Sequence, residues 1–220
     1  MYVKNTCVSN GELLTIKGIT GKELPIICKL QFFRMGWYQG SGAREVQVTK
    51  EVSLKPGKKW VMNSEINENY ISRGPNWPIV HQVEVPEDWA DGLYVIKATT
   101  KDEKSVLIPF YLTTPNEAEG ATICFSPINI QARNWWGGAS ATQVINGKGK
   151  RKSNLYHQIG RETLSINRPM YNPRGGDFLR WAYPLIRFIE RHELPISYIT
   201  DIDVSVQGKI QDTITPVSYT

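Results

Sequence analysis

Short stretches in which apolar and polar residues alternate recur through the first half of the chain, as in Leu93–Ala98. Turn signals such as Asn10-Gly11 and Asp91-Gly92 separate these stretches. Six or seven short strands at this spacing, with no helical period between them, predict an antiparallel β-sandwich of the Ig-like or jelly-roll-like kind. The predicted strands are Leu13–Ile16, Ile26–Phe33, Glu45–Leu54, Gln82–Val85, Leu93–Thr99 and Val106–Leu112.

The pattern changes after a polar segment at residues 113–120. Ala121–Phe125 and Ile196–Thr200 are short apolar strands. Between them, the apolar residues of Asp177–Glu193 recur about every 3.6 positions, which predicts a helix. Pro184 lies inside this helix, so the helix either begins late or kinks there. A strand, a crossover with a helix and a second strand form a βαβ unit, which implies a parallel sheet.

This change of pattern predicts two domains, a β-sandwich over residues 1–115 and an α/β domain over residues 121–220. A parallel sheet is covered on both faces, and two strands with one helix cannot provide that cover. The α/β domain is therefore expected to be incomplete. Either it packs against the sandwich or a partner, or the chain is a fragment of a longer protein, which is the interpretation we favour.

Composition narrows the class of protein only slightly. The 220 residues are 40% apolar and 21% charged, as in a globular protein. No apolar run approaches the roughly 20 residues that cross a bilayer, so no membrane association is expected. Cys7, Cys28 and Cys124 form no Cys-x-x-Cys pair, and the N-terminal residues lack a secretory signal. These features predict a cytoplasmic protein with reduced thiols.

Much of the basic charge lies between Gly147 and Gly176, where seven Lys or Arg accompany one acid, Glu162. A basic run can contact phosphate. Surfaces that bind nucleic acid interleave cations with aromatic rings, however, and Tyr156 is the only ring in this segment before Tyr171. We therefore expect a solvated basic loop and no nucleic-acid partner.

Generic catalytic motifs are absent, since the chain has no Gly-x-Ser-x-Gly, no His-Glu-x-x-His and no phosphate-binding loop. Two stretches are nevertheless unusual. Arg34–Arg44 surrounds two adjacent rings with arginines and glycines, and Ile130–Ser140 places Trp135-Trp136 beside a glycine pair just beyond a strand. Ligands bind at the carboxyl ends of strands in α/β units, so the second stretch is either a binding loop or a tryptophan-filled seam between domains.

These stretches resemble the large (β) subunit of N,N-dimethylformamidase and its relatives over nearly the whole chain. Arg34–Arg44 is similar to the family's Arg-x-Gly-Tyr-Tyr-x-Gly-x-Gly-Ala-Arg, and Gln131–Ser140 to its Gln-Ala-Tyr-Asn-x-Trp-Gly-Gly-x-Ser. Ser165–Pro169 is similar to its Ser-x-x-Arg-Pro, and Tyr198–Asp203 to its Tyr-x-Thr-Asp-x-Asp. Pro86–Tyr94 is similar to a strand-turn-strand segment of its sandwich.

The resemblance implies an amidohydrolase that converts small N-substituted amides such as N,N-dimethylformamide to dimethylamine and formate. In this family two tyrosinates and a glutamate hold a mononuclear iron, and such hard oxygen ligands suit a hard Lewis acid. The two tyrosines fall on Arg133 and Met170 here, with Tyr171 adjacent. The family's glutamate belongs to a His-x-Glu-Tyr-Trp stretch beyond the strand that ends at Asp203, and the sequence does not contain that stretch. Iron is the cofactor that the resemblance implies, but with these ligands lost this chain should not hold it.

The matched positions assign roles to individual residues. Asp201 and Asp203 are the predicted catalytic carboxylates, and Tyr171 is the remaining metal ligand. The predicted substrate-binding residues are Arg133, Asn134, Trp135, Trp136, Gly137, Gly138 and Arg168. In a further hypothesis the guanidinium of Arg133 takes the place of the metal and pairs with Asp201 or Asp203, because a buried cation needs a partner or contact with water.

Three functions stay open at this point. In the first, the chain is a family member whose metal site is degraded or truncated. In the second, it is a competent hydrolase that takes its missing ligands from another chain of a homo- or hetero-oligomer, or that uses a different site. The third function is a binding module, in which the sandwich and the Trp135-Trp136 loop hold a carbohydrate or a protein partner. The lost iron ligands favour the first.

Overall fold

The computed structural model describes residues 1–49, 51–57, 68–114, 121–137, 140–141, 144–145, 151–152 and 163–207. Its strands are β1 (Tyr2–Val3), β2 (Cys7–Val8), β3 (Leu13–Lys17), β4 (Ile26–Met35), β5 (Ala43–Val48), β6 (Val52–Leu54), β7 (Ile79–Glu84), β8 (Gly92–Thr100), β9 (Ser105–Leu112), β10 (Ala121–Phe125), β11 (Val144–Ile145), β12 (Arg151–Lys152) and β13 (Ile196–Thr200). Its helices are α1 (Glu68–Arg73), α2 (Pro127–Arg133), α3 (Tyr183–Arg191) and α4 (Asp201–Gln207), with a 3₁₀ turn at Tyr38–Gly40 and a π-helical turn at Phe178–Ala182.

The largest sheet has the strand order β2-β9-β8-β4-β5, and β6 also pairs with β4. Its neighbouring strands are antiparallel, except that β2 runs parallel to β9. A second, three-stranded sheet has the order β1-β3-β7 and is antiparallel. The single strand predicted over Glu45–Leu54 is in fact two, β5 and β6, because both pair with different parts of the long strand β4.

Alternation along the strands brings these two sheets together through their apolar faces. In β4 the side chains of Cys28, Leu30 and Phe32 are buried, while those between them are more exposed. They join Leu14 and Ile16 of β3 in one apolar cluster. Burying a large side chain in this way contributes about 1.5–3 kcal/mol. The strand-rich, antiparallel and sandwich-like character of the fold is thus confirmed, whereas the Ig-like or jelly-roll-like type stays a prediction.

The other face of the large sheet is also covered. β10 and β13 pair in parallel, from Ala121 opposite Ile196 to Phe125 opposite Thr200. The ring of Phe125 stacks on Tyr111 of β9, with centroids 5.1 Å apart and planes at 19°. The second apolar cluster formed here consists of Leu93, Tyr111, Ile123, Phe125, Phe178, Ala182, Ile186, Ile189 and Tyr198. The parallel pair therefore packs against the large sheet, one of the arrangements that the sequence left open.

The helix predicted over Asp177–Glu193 consists of two parts. A π-helical turn covers Phe178–Ala182, and α3 follows directly over Tyr183–Arg191. Pro184 lies in the first turn of α3, where a backbone N–H needs no partner within the helix. The proline therefore marks the start of α3 and does not interrupt the helical run.

Two predictions fall outside the described residues. The predicted domain boundary lies within residues 115–120, so the division into 1–115 and 121–220 stays a prediction. Most of the basic segment before residue 163 is also outside the described ranges. Within those ranges, no helix combines the length and the apolar character that spanning a membrane requires.

Candidate functional site

Asp201 begins α4 directly after β13, at the carboxyl end of the parallel strand pair. Its carboxylate accepts hydrogen bonds from the hydroxyl of Ser126, which follows β10, and from the backbone N–H of Ile128 at 3.4 Å. Burial raises the pKa of Asp201, and these hydrogen bonds oppose the rise only in part. The carboxyl group therefore keeps its proton to a higher pH than an exposed aspartate does.

Asp203 has a different environment. The backbone N–H and the hydroxyl of Thr200 donate to its Oδ2 at 2.8 and 2.7 Å, and its own N–H donates to the Thr200 hydroxyl at 3.3 Å. This reciprocal arrangement is a capping box at the first turn of α4. The hydroxyl of Thr113, just after β9, also donates to Oδ2 at 3.0 Å. Asp203 therefore anchors α4 to the large sheet.

A thiol, which the sequence did not single out, completes the surroundings of Asp203. Cys7 of β2 donates to Oδ1 of Asp203 at 3.2 Å and lies 3.1 Å from the Thr113 hydroxyl. Burial, and after it the Asp203 charge, raise the pKa of Cys7 to about 12. The sulfur stays a neutral thiol and thus a weak nucleophile. Cys7 and Asp203 border an open groove of about 370 Å³ that Lys4 and Asn167 also line.

The predicted binding residues Asn134 and Arg168 are buried together at the end of α2. Arg168 donates to the backbone carbonyls of Gln131 at 2.6 Å, Trp136 at 3.0 Å and Asn134 at 3.2 Å. The last carbonyls of a helix have no partner within it, so Arg168 satisfies groups that the end of α2 exposes. Burial lowers the pKa of Arg168 to about 10, which still leaves a cation at neutral pH. We call Gln131, Asn134, Trp136 and Arg168 the Arg168 cluster.

The side chain of Asn134 ties the following loop to this cluster. Its amide nitrogen donates to Gln131 Oε1 at 2.9 Å and to the Pro169 carbonyl at 2.8 Å. Its amide oxygen accepts from the backbone N–H of Tyr171 at 2.9 Å and of Trp136 at 3.3 Å. A buried amide with these bonds to its own chain fixes the course of the backbone. Asn134 is therefore a positioning residue, and its contact with a substrate stays a prediction.

Trp136 is buried in an aromatic cluster. It packs edge-on against Trp77, with ring centroids 5.6 Å apart, and Trp77 in turn meets Tyr2 of β1 at 5.7 Å. The next residue, Gly137, has a φ of 93°, and a Cβ there would lie 3.1 Å from Ile71. Of the two interpretations of this stretch, the geometry of Trp136 matches the tryptophan-filled seam.

Arg133 is exposed in the last turn of α2. Among the described residues, no ion pair within 4.0 Å joins it to Asp201 or Asp203. The pairing hypothesised for Arg133 in place of a metal is therefore not formed, because the side chain faces water. Trp135 is half-buried nearby, and Gly138 lies outside the described part of the chain.

A charged contact between the two halves of the chain escaped the sequence analysis. Arg34 of β4 pairs with Glu190 of α3, with Nη1 and Oε1 2.7 Å apart. The other carboxylate oxygen accepts from the backbone N–H of Trp37 at 2.8 Å, and Arg34 also donates to the Asp91 carbonyl at 2.7 Å. Burial is the largest single influence on Arg34 and by itself would lower its pKa, but the Glu190 charge and the interactions with Tyr38 together outweigh burial and raise the pKa. We call this contact the Arg34–Glu190 seam.

Two glycines of the Arg34–Arg44 motif allow α3 to approach. A Cβ on Gly36 would lie 2.1 Å from Oε2 of Glu190. A Cβ on Gly42, whose φ is 82°, would lie 2.2 Å from the hydroxyl of Tyr183, which donates to the Gly42 carbonyl at 2.9 Å. Spacing within the motif could not reveal this role, because Glu190 lies 153 positions after Trp37 in the chain.

The sequence model of a family described as "N,N-dimethylformamidase beta subunit-like, C-terminal" matches residues 29–217 of the chain. The chain belongs to this family. The matched range contains both the Arg34–Glu190 seam and the Arg168 cluster. None of the curated proteins is significantly similar to the chain.

The similarity of this dimethylformamidase-like chain to solved structures is weak. An alkylpurine DNA glycosylase from Pseudomonas fluorescens is 14% identical, with a TM-score of 0.30 over 51% of this chain and 29% of its own. A Paenibacillus cycloisomaltooligosaccharide glucanotransferase is 9% identical, with a TM-score of 0.33 over 68% of this chain and 23% of its own. A beta-glucosidase from Listeria innocua is 13% identical, with a TM-score of 0.23 over 49% of this chain and 14% of its own. The chain spans less than a third of each, and these similarities carry no functional argument.

The described residues of the dimethylformamidase-like chain do not fit the iron ligand set that the resemblance implies. A guanidinium such as that of Arg133 cannot become an anionic ligand. Met170 packs on the second apolar cluster, and the amide nitrogen of Gln131 lies 3.7 Å from its sulfur. Tyr171 is 42% exposed. In the described ranges, no three His, Cys, Asp or Glu side chains gather to hold a metal.

Proposed function

We propose that this dimethylformamidase β-subunit-like chain supplies the framework of the family fold without assembling the family's iron site from its described residues. The observation that carries this proposal is the placement of the two substituted positions. Arg133 points to solvent, and Met170 packs against apolar side chains. The framework around them is retained, since the Arg168 cluster still fixes the loop after α2. Such a chain acts as a scaffold or as the partner of a chain that completes the site.

The proposal includes finer features of the fold and setting. The chain is a sandwich followed by a βαβ unit made of β10, α3 and β13, which begins an α/β domain. Cys7, Cys28 and Cys124 are all free thiols, which supports a reducing, cytoplasmic location. The ligand is a small N-substituted amide, and the partner is a second copy or a companion subunit.

Iron content and amide hydrolysis test the framework proposal. Elemental mass spectrometry of the purified chain, incubated with ferric iron and desalted, should find far less than one iron per chain. Dimethylamine release from N,N-dimethylformamide should not exceed the background. The double variant Arg133→Tyr/Met170→Tyr should bind more iron than the matched variant Arg133→Gln/Met170→Leu, which offers no oxygen ligand. Near-stoichiometric iron in the unmodified chain would overturn the proposal.

Asp201 favours a second candidate function, hydrolysis of small amides with its carboxyl group as the general acid. Amide hydrolysis requires a proton on the departing amine nitrogen. Asp201 lies at the carboxyl ends of β10 and β13, and its raised pKa keeps that proton available at a higher pH. The hydroxyl of Ser126 orients the carboxyl group. The remaining groups come from residues outside the described ranges or from another chain.

The pH dependence of amide hydrolysis tests this candidate. A general acid acts only while protonated, so the rate falls as the pH rises through the pKa of Asp201. Asp201→Asn should lower kcat about 100- to 10,000-fold. Ser126→Ala removes a hydrogen bond that lowers this pKa and should shift the falling limb to higher pH. A fully active Asp201→Asn variant would contradict this candidate, whatever the iron content. So would the absence of amide hydrolysis by the chain together with a chain that completes the site.

A further inference from the structure

Arginines along α3 lie over aromatic rings at the surface. The guanidinium carbon of Arg187 is 5.3 Å from the ring centroid of Trp37, and that of Arg191 is 5.0 Å from the same ring. Arg180, in the π-helical turn before α3, lies 4.9 Å from the ring of Trp181. Such contacts stabilise a cation beside a ring and hold its position. The surface therefore carries three positive charges that aromatic rings hold in place.

Two large rings of the same helical segment are exposed. Trp181 is 48% exposed and Phe188 is 55% exposed. Seven positions separate them, about two helical turns, so they lie on a similar side of the segment. Ile186 and Ile189 face the second apolar cluster instead. The outer side of the segment thus presents flat apolar rings next to cations.

Among the residues that the structure describes, no carboxylate forms an ion pair with the arginines on this side of the segment. Glu190 is turned inward to Arg34 in the seam. Asp177 and Glu193 lie at the two ends, just outside the row of arginines. Arg44, 5.3 Å from the ring of Tyr38, continues the same pairing of cation and ring on the neighbouring strand β5. We call the α3 surface the set Trp37, Arg180, Trp181, Arg187, Phe188 and Arg191.

We propose that the α3 surface binds single-stranded nucleic acid. Positive charge selects a polyanion, and a second copy of the chain docked on the same face would set arginine against arginine. Unpaired bases stack on exposed rings, and arginines contact the phosphates between them. The bases of a duplex are already stacked and cannot use the rings. This is the interleaving of cations and rings that the basic segment 147–176 lacks, and it is independent of amide hydrolysis.

Fluorescence anisotropy of the intact chain with a labelled 20-nucleotide oligo(dT) tests the proposal. Between about 25 and about 200 mM salt, the logarithm of the binding constant should fall linearly with that of the salt concentration, by about 0.7 per phosphate neutralised. Arg180→Gln/Arg191→Gln should reduce this slope by about 1.4. Trp181→Ala should weaken binding about 5- to 150-fold and leave the slope unchanged, because it removes stacking and no charge. All three side chains are exposed, so the fold should persist.

Matched variants separate this surface from general positive charge. Lys101→Gln/Lys104→Gln removes two exposed charges from the β8–β9 turn and should leave affinity and slope nearly unchanged. If Lys148→Gln/Lys150→Gln lowers the slope and the α3 variants do not, the basic segment is the site and the proposal is wrong. The proposal would also be wrong if the chain bound duplex DNA and heparin as tightly as oligo(dT), and if Trp181→Ala left that binding unchanged. A third outcome would contradict the proposal as well: the chain binds no oligonucleotide but self-associates in analytical sedimentation, and Trp181→Ala abolishes the self-association.

Discussion

Two buried arginines, one in each half of the chain, are stabilised in different ways. Arg168 is 1% exposed and donates to three backbone carbonyls. Arg34 is 9% exposed and pairs with the carboxylate of Glu190. Burial lowers the pKa of Arg168. At Arg34 burial acts in the same direction, but the Glu190 charge and the interactions with Tyr38 together outweigh it and the pKa rises.

The difference shows what each arrangement can do. The N–H groups of a planar guanidinium point in fixed directions, so the carbonyls that accept from Arg168 must lie at defined positions. Arg168 therefore fixes the shape of the loop that follows α2. The carboxylate of Glu190 adds a full charge, so the Arg34–Glu190 seam joins two separate elements, β4 and α3, through electrostatic attraction as well as hydrogen bonding. Loss of Arg168 leaves buried dipoles behind, and loss of Glu190 leaves a buried cation.

Removal of Arg168 should have the largest effect. Arg168→Met removes the Arg168 bonds to three buried carbonyls, of which that of Gln131 keeps the backbone N–H of Asn134, and a buried group that loses its partner costs about 1–3 kcal/mol. Because water can enter and replace some of these bonds, we expect a total loss of about 3–5 kcal/mol in the free energy of unfolding. Urea denaturation followed by tryptophan fluorescence measures it.

Arg168→Lys is the matched control, because it keeps the charge and loses the planar fork. We expect a smaller loss than for methionine, since one ammonium can still reach some of the carbonyls. Equal stability of Arg168→Met and the unmodified chain would show that the cluster does not hold the loop.

Neutralising Glu190 should have the second-largest effect. Glu190→Gln leaves the buried cation of Arg34 without its counter-charge, but the bonds of Arg34 to Tyr38 and to the Asp91 carbonyl persist. We therefore expect a loss of about 2–3 kcal/mol in the free energy of unfolding, below the full cost of breaking a buried pair.

A double-mutant cycle isolates the seam. Arg34→Met/Glu190→Gln removes the stranded charge, so the double variant should be less destabilised than the sum of the single changes. Strict additivity in urea denaturation would show that the two groups do not interact.

The comparison also shows which parts of the molecule the sequence predicts. The alternation of Cys28, Leu30 and Phe32 predicts β4, because every second side chain of a strand lies on the same face and the apolar ones are buried there. The seam depends on Arg34 and Glu190, which belong to elements far apart in the chain, and no local pattern records their approach. For the same reason, no local pattern predicts that β10 packs against the large sheet.

The residues that the resemblance singled out lie on connected segments, and their roles stay predictions. The family resemblance singled out Asn134, Arg168 and Tyr171, and one hydrogen-bond network does connect the segments that carry them. The resemblance could not show that Asn134 and Arg168 bond to their own backbone, because a motif does not specify burial. A local signal did exist for Asp203, since Thr200-Asp201-Ile202-Asp203 has the spacing of a capping box.

Two aspartates extend the comparison to anions. Asp203 is held by hydrogen-bond donors of its own chain, as Arg168 is held by acceptors, so Asp203→Asn should cost about 1–2 kcal/mol through the weakened helix cap. The substitution also removes a charge that raises the pKa of Cys7, so the thiol should react faster with iodoacetamide near pH 8. Asp201→Asn is the control, and it should leave the rate at Cys7 nearly unchanged. Equal rates in all three proteins would show that Asp203 does not suppress the thiolate.

Asp201→Asn should have the smallest effect on stability, with a sign that depends on pH. A raised pKa means that the folded chain binds this proton more tightly than the unfolded chain does. The unmodified chain therefore loses stability as the pH rises from about 3.9, the unfolded value, through the raised folded value. Asparagine does not titrate, so the stability of the variant relative to the unmodified chain should increase over that window and then level off. Urea denaturation of both proteins between about pH 4 and about pH 7 measures the difference. A difference that stays constant across this range would mean that Asp201 titrates as an exposed aspartate, and the general-acid candidate would lose its support.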